Sequence, residues 1–175
     1  GSIWFTDPDY GIMSDYEGCK SPSEQSSCNV FRIDQKTGNV DLITDQLVKP
    51  NGLCFNKGES KLYVSDTGGS HIEGGPRNIY SFDLMGETVA SANPEFFAEC
   101  QNGLFDGFRI DSEDRIWTSA ADGVHCYNSA GALIGKIKIP EIVSNVCFGG
   151  PRLNRLFITG TTSLYSVYLA VNGIR

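Results

Sequence analysis

Apolar and polar residues alternate along this chain in short runs. Ile3-Trp4-Phe5-Thr6, Val30-Phe31-Arg32-Ile33, Lys61-Leu62-Tyr63-Val64-Ser65 and Asn78-Ile79-Tyr80-Ser81-Phe82 each set β-branched or aromatic residues on a period of two, between Gly, Asn, Asp, Pro and Ser. That period turns one face of an extended strand toward a core and the other toward water. Nowhere do apolar residues recur at helical spacing through a capped window of a dozen residues, so helices are nearly absent from the expectation. The 20 glycines suit the many turns this requires.

The clearest unit runs from Phe105 to Ser119. Asp106-Gly107 opens it, Phe108 and Ile110 alternate with polar residues, Asp111 to Asp114 form a turn, and Ile116-Trp117-Thr118 runs back. The unit recurs at Asn51-Gly52-Leu53-Cys54-Phe55…Leu62-Tyr63 and at Asn145-Val146-Cys147-Phe148…Leu156-Phe157. The polar opener precedes an aromatic by 12, 11 and 12 residues (Asn51 to Tyr63, Asp106 to Trp117, Asn145 to Phe157). A third strand follows at 78–83, 123–127 and 163–169, and a fourth at 94–99 and 133–139. Four antiparallel strands and then a fresh opener is the pattern of a propeller blade.

The expected fold is therefore all-β, a partial β-propeller of about three and a half four-stranded blades. Its units are 1–46, 49–100, 104–140 and 143–175. The first matches the second to fourth strands of a blade, so its innermost strand is expected upstream of Gly1, and the last lacks a fourth strand. Two open edges predict self-association or a separate N-terminal chain that completes the ring.

Forty per cent of the residues are hydrophobic and 11% aromatic, enough for a folded core. The formal charge of -7 argues against nucleic acid or an anionic membrane surface as partner. No apolar run approaches the roughly 20 residues that span a bilayer. Six cysteines are too few for a disulfide framework, and no pair has metal or redox spacing. Cys54, Cys126 and Cys147 lie in apolar runs and read as small buried hydrophobes. Cys19 and Cys28 are candidates for a bridge in an oxidising compartment, against the cytoplasmic location expected from the other thiols.

A propeller brings the starts of its inner strands together on one axis, so Asn51, Asp106 and Asn145 are placed to converge. Such a set of oxygens suits Ca²⁺, which takes about six to eight of them. A tetrahedral zinc site asks for His and Cys, and the chain has two histidines, His71 and His125. The competing reading is that Asn-Gly and Asp-Gly are ordinary turn dipeptides. His71 lies in the Gly-rich loop Thr67 to Pro76, either over the channel mouth and against substrate or simply exposed. His125 is expected to be structural. Asp9-Tyr10-Gly11-Ile12, with the insertion to Ser27, is expected to form a lid or entrance loop, with Tyr10 touching substrate. The acidic turn 111–114 is expected to be a solvated hairpin tip. Trp4, Tyr63, Trp117 and Phe157 are expected to pack between blades.

The chain resembles the SMP-30/gluconolactonase/LRE-like family, calcium-dependent lactonases built as six-bladed β-propellers. The residues that carry the resemblance are Ile3-Trp4-Phe5-Thr6-Asp7-Pro8 with Tyr10-Gly11-Ile12, Lys49-Pro50-Asn51-Gly52-Leu53, and Leu62-Tyr63-Val64-Ser65-Asp66-Thr67-Gly68. Asp106-Gly107-Phe108-Arg109-Ile110-Asp111 and the stretch from Asn145 through Phe148-Gly149-Gly150 to Tyr165 complete them. The resemblance implies hydrolysis of a sugar lactone at one divalent cation, Ca²⁺ or another such as Zn²⁺, Mg²⁺ or Mn²⁺, at the top of the central channel. It implies Asn51 and Asp106 as metal ligands, Asp106 also as proton acceptor, and Asn145 as lining of the substrate pocket. A Glu and an Asn of the family's ligand set are implied upstream of Gly1. The other function carried by this pattern is a non-catalytic propeller-derived binding or scaffold module, or an inactive fragment.

Overall fold

The computed structural model describes residues 1–174. Fifteen strands, one short helix and one 3₁₀ turn make four sheets that follow one another along the chain. The first joins β1 (Ile3–Asp7), β2 (Asn29–Ile33) and β3 (Val40–Thr44) in sequence order. The second holds β4 (Pro50–Phe55), β5 (Lys61–Asp66) and β6 (Asn78–Met85), with β7 (Thr88–Val89) and β8 (Glu95–Glu99) both paired to β6. The third is β9 (Phe108–Ile110), β10 (Ile116–Ala120), β11 (Gly123–Tyr127) and β12 (Leu133–Lys138). The fourth is β13 (Val143–Gly149), β14 (Arg155–Gly160) and β15 (Leu164–Tyr168). Every pairing is antiparallel. The all-β reading from alternation is borne out, as a partial β-propeller. Residues 169–174 add no strand to the fourth sheet. They fold back instead, with Asn172 accepting from Ser112 N at 2.7 Å and Gly173 bridging Asp111.

Strand β1 and the inner strands β4, β9 and β13 neighbour one another in turn, and the core lies between successive sheets. One cluster packs Leu62, Val64 and Phe82 of the second sheet against Val30 and Ile43 of the first. A second packs Tyr63 and Ile79 against Phe105, Phe108 and Ile116, and a third sets Val124 against Val146, Leu156 and Ile158. Each fully buried Phe, Leu or Ile contributes about 1.5–3 kcal/mol, so the seams between sheets hold the assembly. Three of the recurring aromatics, Trp4, Tyr63 and Trp117, sit at these seams. Trp4 meets Phe55 edge-on at 5.4 Å, and Trp117 meets Phe148 at 6.4 Å. Phe157, on the last sheet, lies under the Arg155 guanidinium at 4.9 Å.

Three local expectations are corrected. Asp111 is fully buried rather than a solvated tip residue. Its carboxylate accepts from Glu113 N (2.9 Å), Arg115 N (3.1 Å), Arg115 Nε (2.8 Å) and Trp117 Nε1 (2.8 Å), which closes the β9–β10 hairpin. Cys147 is exposed, because on β13 it lies opposite Phe157 on the face of the fourth sheet turned away from the third, whereas Val146 and Phe148 take the seam. Cys126 is buried and Cys54 half-buried; burial pushes both thiols up. Tyr10–Met13 forms a single helical turn, α1, that the strand pattern hides. All six cysteines are free, Cys19 and Cys28 included. His125 is buried with Nε2 at 2.6 Å from Asp122 Oδ1, a structural contact.

Candidate functional site

The sheet openers are irregular, and they share one end of the fold. The β4–β5 register shifts between Pro50 and Leu53, across Asn51-Gly52, and the β13–β14 register shifts between Val143 and Asn145. Asp106 lies just ahead of β9, outside any ladder. Irregularities of this kind at the end of a strand free side chains to aim away from the pleat.

Neither Gly52 nor Gly107 adopts a positive φ. They are small for another reason. A Cβ at residue 52 would collide with the Asp106 carbonyl oxygen, and one at residue 107 would collide with the Asn145 side chain. The Asn-Gly and Asp-Gly pairs are therefore points of close approach between neighbouring sheets rather than turn dipeptides. Hydrogen bonds fix the approach. Ser65 Oγ donates to the Asp106 carbonyl at 3.1 Å, Ser119 Oγ accepts from Asp106 N at 2.9 Å, and Ser144 O accepts from Gly107 N at 2.8 Å. Thr6 Oγ1 donates to the Asn51 carbonyl at 2.7 Å, which ties the first sheet to the second.

Asn51 and Asp106 line one cavity of about 490 Å³, together with Tyr10, Glu17, Thr67, Ser70, His71 and Ser144. Leu104, Ile142 and Val143 give it an apolar side. Burial pushes the Asp106 carboxyl above its ordinary range; the Asn51 amide beside it works the other way, and the Glu17 charge adds to the rise. Such a carboxylate is a better proton acceptor than an exposed one. Asn145 does not reach this cavity. It packs on Gly107, accepts from Val146 N at 2.8 Å and lines an adjacent recess with Arg109, Cys147 and Phe157.

Two elements form the rim. The Thr67–Pro76 loop is tied by Gly69 N to Pro76 O at 2.7 Å and by Gly75 N to Ile72 O at 2.9 Å. Asp66 holds its base, since the buried carboxylate accepts from Val48 N (2.7 Å), Lys49 N (2.9 Å) and Gly68 N (3.0 Å). The second element is α1 with the insertion behind it. Lys49 is buried, pairs with Asp9 and sits 5.0 Å from the Tyr10 ring centroid, clamping α1 onto β4. Glu17 carries no motif that marks it in the sequence; one of several acidic residues in a polar insertion, it becomes visible only when the insertion folds over the openers.

The family model described as SMP-30/Gluconolactonase/LRE-like region matches residues 1–162. The chain belongs to the SMP-30/gluconolactonase/LRE-like family. A gluconolactonase of Zymomonas mobilis is 32% identical over 95% of this chain and 47% of its own length. The pentonolactonase XacC of Haloferax volcanii is 32% identical over 79% of this chain and 46% of its own. The solved gluconolactonase XC5397 from Xanthomonas campestris superposes with a TM-score of 0.84 at 32% identity, covering 99% of this chain and 54% of that one. A regucalcin from Agrobacterium tumefaciens, titled a calcium-binding protein, shares the fold with a TM-score of 0.70 at 19% identity over 85% of this chain and 54% of that one. The chain thus spans about half the length of the curated relatives it matches.

Proposed function

We propose that this chain carries the Asn51 and Asp106 side of a divalent-cation-dependent sugar-lactone hydrolase. The observation that carries this reading is the convergence of an amide and a carboxylate from neighbouring blades on one cavity, held by two glycines that admit no side chain. The family membership and the lactonase names of its relatives support it.

The donors fit a hard cation in chemistry. Asn51 and Asp106 offer oxygens, and no cysteine lines the cavity. Among the described residues no three His, Cys, Asp or Glu side chains are grouped to hold a metal, so Asn51 and Asp106 form part of a set of about six to eight oxygens. The Asn51 nitrogen faces Thr67 Oγ1 at 3.5 Å, and turning the amide over exchanges it for Oδ1. A bound divalent cation, with Ca²⁺ the best match, supplies Lewis acidity toward the ring carbonyl oxygen.

The chain's own residues divide the remaining work. Asp106 accepts the proton of the water that attacks the carbonyl carbon. The ring C–O bond then breaks, the departing ring oxygen takes that proton back from Asp106, and the product is an open-chain hydroxy acid. Asn51 holds the ligand toward Asp106, the apolar side excludes bulk water, and Tyr10 and His71 face the hydroxyls of the substrate. Asn145 acts through Gly107, keeping the Asp106 backbone in place.

The short donor list favours a second reading, a propeller-derived binding module. Measuring hydrolysis of an aldonolactone after chelation and again with added Ca²⁺ separates the two. Restoration of the rate by Ca²⁺ supports the hydrolase, and a rate equal to the uncatalysed background in both states supports the module. We also propose that the free edges of β1 and β15, the latter carrying Leu164 and Tyr168 at 68% and 70% exposure, pair with further strands of a longer chain or a second copy. A monodisperse monomer in light scattering counts against the second copy.

A further inference from the structure

The cavity rim holds a chain of four polar contacts, and a single assignment of their protons makes every one of them a hydrogen bond. Thr67 Oγ1 donates its proton to the Lys49 carbonyl at 3.2 Å. A hydroxyl has one proton to give, so Thr67 meets the Tyr10 hydroxyl at 2.6 Å as acceptor, and Tyr10 is the donor. The Thr67 carbonyl, 3.4 Å from the same phenol, draws the Tyr10 proton to the same side. The Tyr10 oxygen then accepts from Ser70 Oγ at 3.0 Å. Ser70, its proton committed, accepts from His71 Nδ1 at 2.7 Å. That assignment puts the hydrogen of a neutral His71 on Nδ1 and leaves Nε2 a bare lone pair. Packing holds the arrangement, because Lys49 fixes Tyr10 from behind and the Tyr10 ring lies 5.5 Å from the imidazole.

We propose that the Thr67–Tyr10–Ser70 chain locks neutral His71 in the Nδ1–H form, so that its Nε2 accepts a hydrogen bond from a hydroxyl group of a polyhydroxylated ligand in the cavity. This rests on the sugar-lactone reading and adds a specificity device to it. Which imidazole nitrogen carries the proton is set by the bond the other one makes. With the carboxylates of Asp106 and Glu17 in the same lining, Nε2 completes a rim of acceptors. Such a rim matches a ligand rich in O–H donors and offers an alkyl lactone of similar size no partner for its acceptors.

The chain has only two histidines, so ring-nitrogen NMR on ¹⁵N-labelled protein, at a pH where both are neutral, reads His71 directly. The wild type is expected to show a protonated Nδ1 and a bare Nε2, and Ser70→Ala and Tyr10→Phe are expected to move the proton toward Nε2 while the backbone spectrum stays folded. A protonated Nε2 in the wild type, or the same tautomer in all three proteins, overturns the proposal. Titration with D-gluconolactam, a non-hydrolysed lactone analogue, then tests the ligand contact. Movement of both the His71 Nε2 and the Asn51 side-chain amide signals supports it. Movement at Asn51 with Nε2 unmoved overturns the inference and leaves the lactone reading standing, whereas silence at both overturns the lactone reading and the ligand contact with it.

Discussion

The carbonyl oxygen of Asp106 occupies the space that a Cβ on residue 52 would need. Two neighbouring blades therefore meet at a glycine, and the side chain of Asp106 is aimed into the cavity by a backbone that has nowhere else to go. Gly52→Ala is expected to push the Asp106 segment outward, costing about 1–3 kcal/mol of stability as an overpacked contact does. It should also lower lactonase activity by roughly 10²-fold, since a displacement of about 1 Å has that effect. Urea denaturation and initial rates on one preparation check both. An active, fully stable alanine variant contradicts the close-approach argument.

The same burial that raises the Asp106 carboxyl makes its ionised form costly to the fold. The folded-state value lies above the ordinary 3.8, so the folded protein holds a proton that the unfolded chain has released. The contribution of Asp106 to stability is full below pH 3.8 and is lost as pH rises through its elevated folded value. Asp106→Asn is accordingly expected to raise Tm at neutral pH with divalent cations chelated, and to leave Tm unchanged near pH 3. A lower Tm at neutral pH contradicts this.

Glu141 works in the opposite sense. Its carboxylate accepts from Thr162 N at 2.7 Å, Tyr165 Oη at 2.7 Å and Ser163 Oγ at 2.8 Å, and these bonds bring its pKa down from 4.5 to about 2. Its contribution is present above pH 4.5 and fades as pH falls toward 2. Glu141→Gln should flatten the acid side of the stability profile in that window, and proteolytic nicking at 160–163 followed against pH checks it.

Asp111 accepts four bonds from a single hairpin while fully buried. Asp111→Ala strands the indole N–H of Trp117 and a guanidinium, and is expected to cost about 3–5 kcal/mol, the range for removing one partner of a buried pair. Denaturant unfolding with Trp117 fluorescence as probe measures it.

Much of the fold was legible because a strand announces itself through a period of two. Residues 108–119 and 50–64 alternate cleanly, and their aromatics mark the seams. Asn51 and Asp106 were also visible, as polar residues repeating at the head of an apolar run. What the chain hid was tertiary. Gly52 and Gly107 resemble turn glycines until the neighbouring blade is in place, and Asn145 repeats the opener yet packs against Gly107 instead of the cavity. Asp111 looked solvated because local polarity cannot register the indole and guanidinium folding over it. Cys147 alternates like a core residue, but it lies on the face of the fourth sheet turned away from the third, and Val146 and Phe148 take the seam. Glu17 and the single turn of α1 lie in a polar insertion with no periodicity to read.

Asp106 carries the proposed chemistry more directly than any other residue of the cavity. Proton release from D-glucono-δ-lactone at fixed pH, with Ca²⁺ present, should show catalysis by the wild type and a loss of at least about 10²-fold in Asp106→Asn; equal rates for the two proteins contradict it.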